Sequence, residues 1–333
     1  MNDNPIFISH GDITTDFIYH SNSNEIPQLL SMQGGGCNWN VLYHLSRMGK
    51  TCYAFGVAGN DEAGYIACNS LKAAGIDMKN VYTDNSKNTN VNHIVYYTGG
   101  HFTDSRYSPI TGKCTVQFSN DLPVTLPKEM LEKNIYVILS RMFPINLEFI
   151  KNIPTKKVCL DIGSSGTIRE LNINYILEFL QEVNVLLINS NVSKELLSKT
   201  NVTNMKELFD RLSLDLLIET AGVEPVNFIF KNDGISQTLT LQPNIIEKPV
   251  NSIGAGDAFF SVIINAYNFC LSHNIPIDSK FVKTVFPIAN SFSAEIVQID
   301  GCRGEEELYK NWIKNIGKNQ NTYAKSIQNQ TYR

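Results

Sequence analysis

The chain has no hydrophobic run approaching the about 18 residues that a membrane-spanning helix needs. Its first residues, Met1-Asn2-Asp3-Asn4-Pro5, have neither the basic stretch nor the apolar core of a secretory signal. No block of Lys and Arg appears, and the net charge is −4. That balance argues against nucleic acid or an anionic membrane as the main partner. The seven cysteines, at 37, 52, 68, 114, 159, 270 and 302, include no C-x-x-C pair. An odd number spread through apolar segments reads as reduced thiols in a cytoplasmic setting. Within the glycine-rich loop, Cys37 reads as a buried, inert thiol. The chain does not open with a strand, G-x-G-x-x-G and helix, which counts against a dinucleotide-binding oxidoreductase.

A hydrophobic fraction of 43% and a charged fraction of 18% are those of an ordinary water-soluble globular protein. Its 333 residues suffice for one large α/β fold or two smaller domains. The most informative stretch is Val250–Phe260, V-N-S-I-G-A-G-D-A-F-F. Gly254, Ala255 and Gly256 lead into Asp257, and a helix-competent apolar run follows from Ala258 to about Leu271. Small residues at a loop-to-helix junction let backbone N–H groups approach an anion, and the helix N-terminus adds partial positive charge. A carboxylate beside such a cradle suits transfer of a phosphoryl group to a hydroxyl. With an ordinary carboxylate pKa near about 4, Asp257 is ionised at neutral pH and is a weak base. A second element runs from Gly35-Gly36 through Asn40 to Gly49, with Val41, Leu42, Leu45 and Met48 at helical spacing. Glycines allow close approach to a ligand, and an Asn amide both donates to and accepts from hydroxyls.

Together these two runs resemble the N- and C-terminal signatures of the ribokinase/PfkB carbohydrate kinase family. The resemblance extends through Gly59-Asn60-Asp61-Glu62-Ala63-Gly64, Leu71–Ile76 and Thr220-Ala221-Gly222, from about Pro5 to Trp312. It implies a ribokinase-like α/β fold, a mostly parallel sheet with helices on both faces plus a small β-lid. It also implies ATP and Mg2+ as cofactors. Asp257 is then the catalytic base, with Gly254, Ala255 and Gly256 forming the anion hole. Asp16, Gly35, Gly36 and Asn40 bind the acceptor, Asp12 being the second choice for the sugar-binding acid. Asn189, Thr220, Gly222, Gly256 and Asn290 lie on the nucleotide side.

The sequence departs from the family at three places. Val192 stands where the family's N-x-x-E carries its acid, and Glu195 is the nearest substitute for handling the metal, whose ligands are otherwise unknown. Asp161-Ile162-Gly163 replaces D-x-N. Asn251 replaces the Asp that accompanies a monovalent-cation site in many relatives.

Along the chain, Phe17–Met32 is polar and irregular, suited to short strands or a loop over the site. A strand is expected at Cys52–Val57 and a helix at Gly64–Ala74. Asn90–Thr98, resuming at His101 after Gly99-Gly100, reads as a hairpin that the family would use as its lid. Beyond Ile135, strands at Tyr136–Leu139, Lys157–Asp161, Val185–Ile188, Leu214–Glu219 and Val226–Phe230 alternate with helices at Asn146–Lys151, Asn174–Gln181, Lys194–Thr200 and Met205–Leu212, the pattern of a parallel sheet covered on both faces. The expected organisation is one kinase domain over residues 1–316, with lid segments near 15–33 and 89–118, and a mobile tail over 317–333.

The expected partner is a small sugar or nucleoside, without nucleic acid or membrane, and the lid offers a surface for a homodimer. Two other readings stay open. An adenosine-type nucleoside kinase would use Trp39, Phe102 and Tyr107 for stacking. A non-catalytic sugar or nucleotide sensor on the same fold would account for Val192 and Asn251.

Overall fold

The computed structural model describes residues 4–22, 25–97, 102–119, 122–163, 166–247, 249–299 and 301–312. The Gly99-Gly100 turn and the 317–333 tail lie outside them. The strands in chain order are β1 (Ile6–Asp12), β2 (Thr14–Ser21), β3 (Gln28–Gly35), β4 (Thr51–Gly59), β5 (Asp77–Asp84), β6 (Asn90–Tyr97) and β7 (Phe102–Ser105). They continue with β8 (Ile135–Leu139), β9 (Lys156–Ile162), β10 (Val185–Asn189), β11 (Leu216–Thr220), β12 (Val226–Asn232) and β13 (Ile235–Leu241). The helices are α1 (Cys37–Arg47), α2 (Glu62–Ala73), α3 (Pro144–Lys151), α4 (Gly166–Arg169), α5 (Ile173–Gln181), α6 (Ser190–Thr200), α7 (Met205–Arg211), α8 (Ala255–Ser272) and α9 (Ser279–Ile296).

Side-chain alternation along the central strands separates two cores. Phe7 of β1 faces one side of the sheet, while Ile6 and Ile8 face the other. On the first side α1, α2, α8 and α9 contribute Leu42, Leu71, Ile263 and Phe292. On the second, α3, α5, α6 and α7 contribute Phe149, Phe179, Leu196 and Phe209. The large sheet has nine strands in the order β13-β12-β11-β10-β9-β8-β1-β4-β5. All neighbours are parallel except β11–β12 and β12–β13. The carboxyl ends of β1, β4, β8, β9, β10 and β11 therefore share one edge, where ligands bind in such sheets.

A second sheet, in the order β3-β2-β6-β7, grows directly out of the first. One residue, Ile13, separates β1 from β2; it is buried, and its N–H donates to Val57 O at 2.8 Å. Asp16 of β2 pairs with Gln33 of β3 and Asn92 of β6, so these three side chains share a face.

The expected strands and helices are present, most of them longer by a residue or more. Phe17–Met32, polar as it is, supplies most of β2 and β3. The edge strands β5 and β13 show mixed burial and carry little hydrophobic signal. The G-x-D-x-x-G run has a structural explanation. Asp61 caps α2 by accepting from Gly64 N–H at 2.8 Å, and its other oxygen accepts from Thr89 N–H at 2.8 Å.

Trp39 is 1% exposed and donates its ring N–H to Asp12 O at 2.8 Å, so its ring is core and not a stacking platform. It lies over the crossing of Gly11 and Gly56, where a Cβ on Gly56 would stand 2.3 Å from Gly11 O. Gly56→Ala is expected to destabilise the fold by about 1–3 kcal/mol, the usual cost of overpacking, read as a lower urea midpoint.

Candidate functional site

Helices α1 and α8 both begin at the carboxyl edge of the large sheet, and their first turns meet. Gly254 precedes α8 with φ 74°, and a Cβ there would stand 2.4 Å from Cys302 Cβ. Ala255 N–H makes only a long contact of 3.5 Å to Ser252 O, the other first-turn N–H groups have no helical carbonyl before them, and the space around Gly256 is open. Asp257, in that turn, is 6% exposed. Asn40 of α1 donates its Nδ2 to Asp257 Oδ2 at 2.8 Å, and the Cys37 thiol also donates to this carboxylate.

Behind Asn40 stands a residue that the sequence did not single out. Arg303 donates Nε to Asn40 Oδ1 at 2.9 Å, Nη1 to Ser70 Oγ at 2.8 Å and Nη2 to Gly35 O at 3.4 Å. Its guanidinium lies 4.9 Å from the Tyr43 ring centroid. A Cβ on Gly34 would fall 2.1 Å from Arg303 Nη1, and one on Gly35 would fall 2.0 Å from Asp16 Oδ1. The glycine run thus clears space for two charged side chains. The charge in Gly301-Cys302-Arg303-Gly304 was the one local signal, and it says nothing of where the side chain reaches.

Burial raises all three acids that converge here. Asp16 rises to about 7, opposed by the Arg303 charge and by Asn92, which donates to Oδ1 at 3.2 Å. Asp161, at the end of β9, rises to about 8 through burial and the Asp257 charge, with Arg141 opposing. Asp257 rises to about 6 through burial, opposed by Asn40, Cys37 and Arg303. It is therefore a stronger base than the ordinary carboxylate value expected from sequence. Cys37 is exposed, which corrects the expectation of a buried thiol. The negative charges of Asp257 and, to a lesser degree, Asp161 push its thiol well above the usual range, which keeps it protonated.

Other sequence candidates hold the framework. Asp12 pairs with Lys87 and accepts from Ser119 N–H, so it is already engaged. Asn189 caps α6, accepting from the N–H groups of Asn191 and Val192, and donates to Gly163 O at 2.6 Å. Val192 is fully buried in the second core, so no acid could occupy its place without desolvation. Glu195 pairs with Arg169 at 3.3 Å rather than reaching into the cleft. Thr220 ends β11 beside Asn189, and Gly222 follows with φ 66°. Asn290 of α9 accepts from Asn244 N–H at 2.8 Å. Asn251, 3% exposed, donates Nδ2 to Ile299 O at 2.6 Å and to Gly301 O at 3.4 Å, while its Oδ1 accepts from Ile253 N–H. Its amide ties the loop before α8 to the segment carrying Cys302 and Arg303. Among the described residues no three His, Cys, Asp or Glu form a metal-ligating group, and no helix is long and apolar enough to cross a membrane.

The family model described as pfkB family carbohydrate kinase matches residues 7–307. No curated protein matches the chain. Similar solved structures include fructokinase with bound ATP from Xylella fastidiosa, 15% identical over 95% of this chain and 99% of that one, with TM-score 0.70. Ribokinase from Thermotoga maritima is 17% identical over 93% and 99%, with TM-score 0.68. Burkholderia thailandensis nucleoside kinase in complex with inosine is 15% identical over 93% and 97%, with TM-score 0.66. At these identities the likeness is one of fold.

Folded-state pKa values above the unfolded ones mean that the native protein binds more protons at intermediate pH. Stability is then lost as pH rises from about 4 to about 8. Asp161→Asn mimics the protonated acid. It is expected to raise the urea midpoint at about pH 8 by the equivalent of at least about 1 kcal/mol, and by less at about pH 5. Equal shifts at the two pH values would show that Asp161 does not titrate in this range.

Proposed function

Because the chain belongs to the pfkB family of carbohydrate kinases, we propose that it transfers the γ-phosphoryl group of ATP to a hydroxyl of a small sugar or sugar-like acceptor, with Asp257 as the base. The observation that carries this reading is the buried Asp257 carboxylate at the start of α8, held by Asn40. Asp257 accepts the hydroxyl proton as the acceptor oxygen attacks phosphorus, and ADP leaves. First-turn N–H groups around Gly254, Ala255, Gly256 and Asp257 stabilise the charge on the transferring oxygens. A base with pKa about 6 is ionised at neutral pH yet close enough to it to draw the proton.

Asp16 and Asn40, with the Gly35-Gly36 backbone, form the acceptor side. Thr220, Gly222, Gly256 and Asn290, with Asn189 behind them, form the nucleotide side. Exposed Val223, Ile245 and Val250 supply apolar surface to this nucleotide side. Magnesium arrives as part of the substrate MgATP, coordinated by phosphate and water.

A kinase is favoured over a sensor because Asp257, Asn40 and the cradle are assembled together, and neither Val192 nor Asn251 interrupts them. The nucleoside alternative loses Trp39 to the core and retains Phe102 and Tyr107. The small sheet is the lid of a single kinase domain over residues 1–316, with lid segments near 15–33 and 89–118. Its edge strand β3 and the residues before it expose Ile26, Leu29 and Leu30, a surface for a second copy of the chain. The proposed setting is cytoplasmic, in keeping with seven free thiols.

A coupled ADP-release assay across sugars and nucleosides tests the activity and finds the acceptor. Asp257→Asn is expected to lower kcat at least about a hundredfold while ATP binding is unchanged. In the unaltered enzyme kcat/KM should rise with pH through about 6 as Asp257 ionises. Near-native turnover in the variant would remove Asp257 from the role.

The Asn251 amide donates to carbonyls that a cation would otherwise occupy. Turnover in potassium and in a large organic cation, at fixed ionic strength, should therefore agree within about threefold, a difference worth about 0.7 kcal/mol at most. A rise of about tenfold in potassium would reveal a site despite Asn251.

A further inference from the structure

We propose that Arg303 is a positioning residue that sets the orientation of the Asn40 amide and, through it, of the Asp257 carboxylate. The inference rests on the kinase reading for its consequence, but its geometric premise does not. An Asn amide has one donor end and one acceptor end of nearly equal shape, so packing alone does not decide which way it faces. Its neighbours decide here. Arg303 is donor-only, so the end 2.9 Å from its Nε is the carbonyl oxygen. The NH2 end must then face Asp257 Oδ2, at 2.8 Å. The reversed amide would set NH2 against guanidinium and carbonyl oxygen against carboxylate, which is unfavourable at both ends. The line from Arg303 through Asn40 to Asp257 therefore has one arrangement.

The guanidinium is itself fixed from several directions. Ser70 Oγ of α2 and Gly35 O of β3 take its remaining arms, and the Tyr43 ring supports its face. A lysine ammonium would keep the charge and the aromatic contact but not the planar fork that reaches three acceptors at once. The Arg303 charge also opposes the rise of both Asp257 and Asp16, in keeping with its place between the acceptor side and the base. Each of the three Arg303 nitrogens is engaged with the protein, Nε with Asn40 itself. On this proposal its contribution passes through Asn40, to which its Nε is bonded.

The test uses the full chain with Arg303→Lys, Arg303→Gln, Asn40→Ala and the Arg303→Lys/Asn40→Ala double variant. Two readouts are taken, steady-state kinetics and solvent exchange of the Asn40 side-chain NH2 in 15N-labelled protein, its signals assigned by their loss in Asn40→Ala. Each Arg303 variant is expected to lower kcat at least about tenfold with KM for ATP within about twofold, and lysine should not rescue it. Asn40 NH2 exchange should quicken by about tenfold or more once the amide is released. In the Asn40→Ala background, Arg303→Lys should cost less than about twofold further, because its route is already cut.

Unchanged Asn40 exchange, native kcat in Arg303→Lys, or equal losses in both backgrounds would each overturn the proposal. If Arg303→Gln does not fold, Arg303→Lys still decides. If the native enzyme phosphorylates no acceptor, the kinase reading fails on its own account. The exchange measurement then still decides whether Arg303 holds Asn40.

Discussion

One buried hydrogen bond, from Asn40 to Asp257, joins the N-terminal turns of two helices whose partners lie 217 residues apart in sequence. Much of the site's geometry depends on that contact. It brings the open first turn of α8 beside the glycine run that precedes α1, and it fixes a carboxylate where both helix dipoles favour negative charge. The surrounding packing converges on keeping it in place. Gly34 and Gly35 leave room for Arg303 and Asp16, Gly254 leaves room for Cys302, and Asn251 ties the approach to α8 to the segment that carries Cys302 and Arg303.

Holding acids in this way opposes stability. Asp16, Asp161 and Asp257 are all buried, and burial raises each of them. A fold selected for stability alone would replace at least Asp161 with a neutral side chain. Their grouping around the start of α8, next to the exposed Cys37, is the usual mark of groups placed for chemistry. The histidines show the contrast. His10 and His44 are also buried, and both are pushed down, to about 4 and about 3, by burial. His10 accepts its place by stacking on Phe149 and bonding Asn146 and Pro123, a purely structural use of a titratable ring.

Much of this arrangement was legible in the sequence wherever local geometry forces a residue type. A loop that turns into a helix beneath an anion needs small residues, so Gly254–Asp257 and Gly35–Asn40 announce themselves. Buried central strands announce themselves by continuous apolar runs, as at β8 and β10. Contacts made across the chain leave no such trace. Arg303 reaches Asn40 across 263 residues, and no spacing rule encodes that meeting. The place of Trp39 stayed open because an aromatic ring beside a glycine loop looks the same in sequence whether it turns outward or inward. The basicity of Asp257 was underestimated because desolvation belongs to the folded environment and not to the residue. The edge strands β5 and β13 were missed since half of each faces solvent and dilutes the pattern.

The junction at Ile13 has a consequence for how such a molecule diversifies. The strand that carries Asp16 continues from β1 of the large sheet with a single residue between them, and that residue is anchored to Val57 O. The small sheet is thus a covalent outgrowth of the scaffold, and the turn that begins α8 belongs to none of its strands. On the proposed function, substitutions in those strands retune which molecule is accepted, and substitutions around Gly254–Asp257 alter whether transfer occurs at all. The two regions meet chiefly at Asp16, so a lineage built on this plan can change its diet over most of the small sheet without relearning its chemistry.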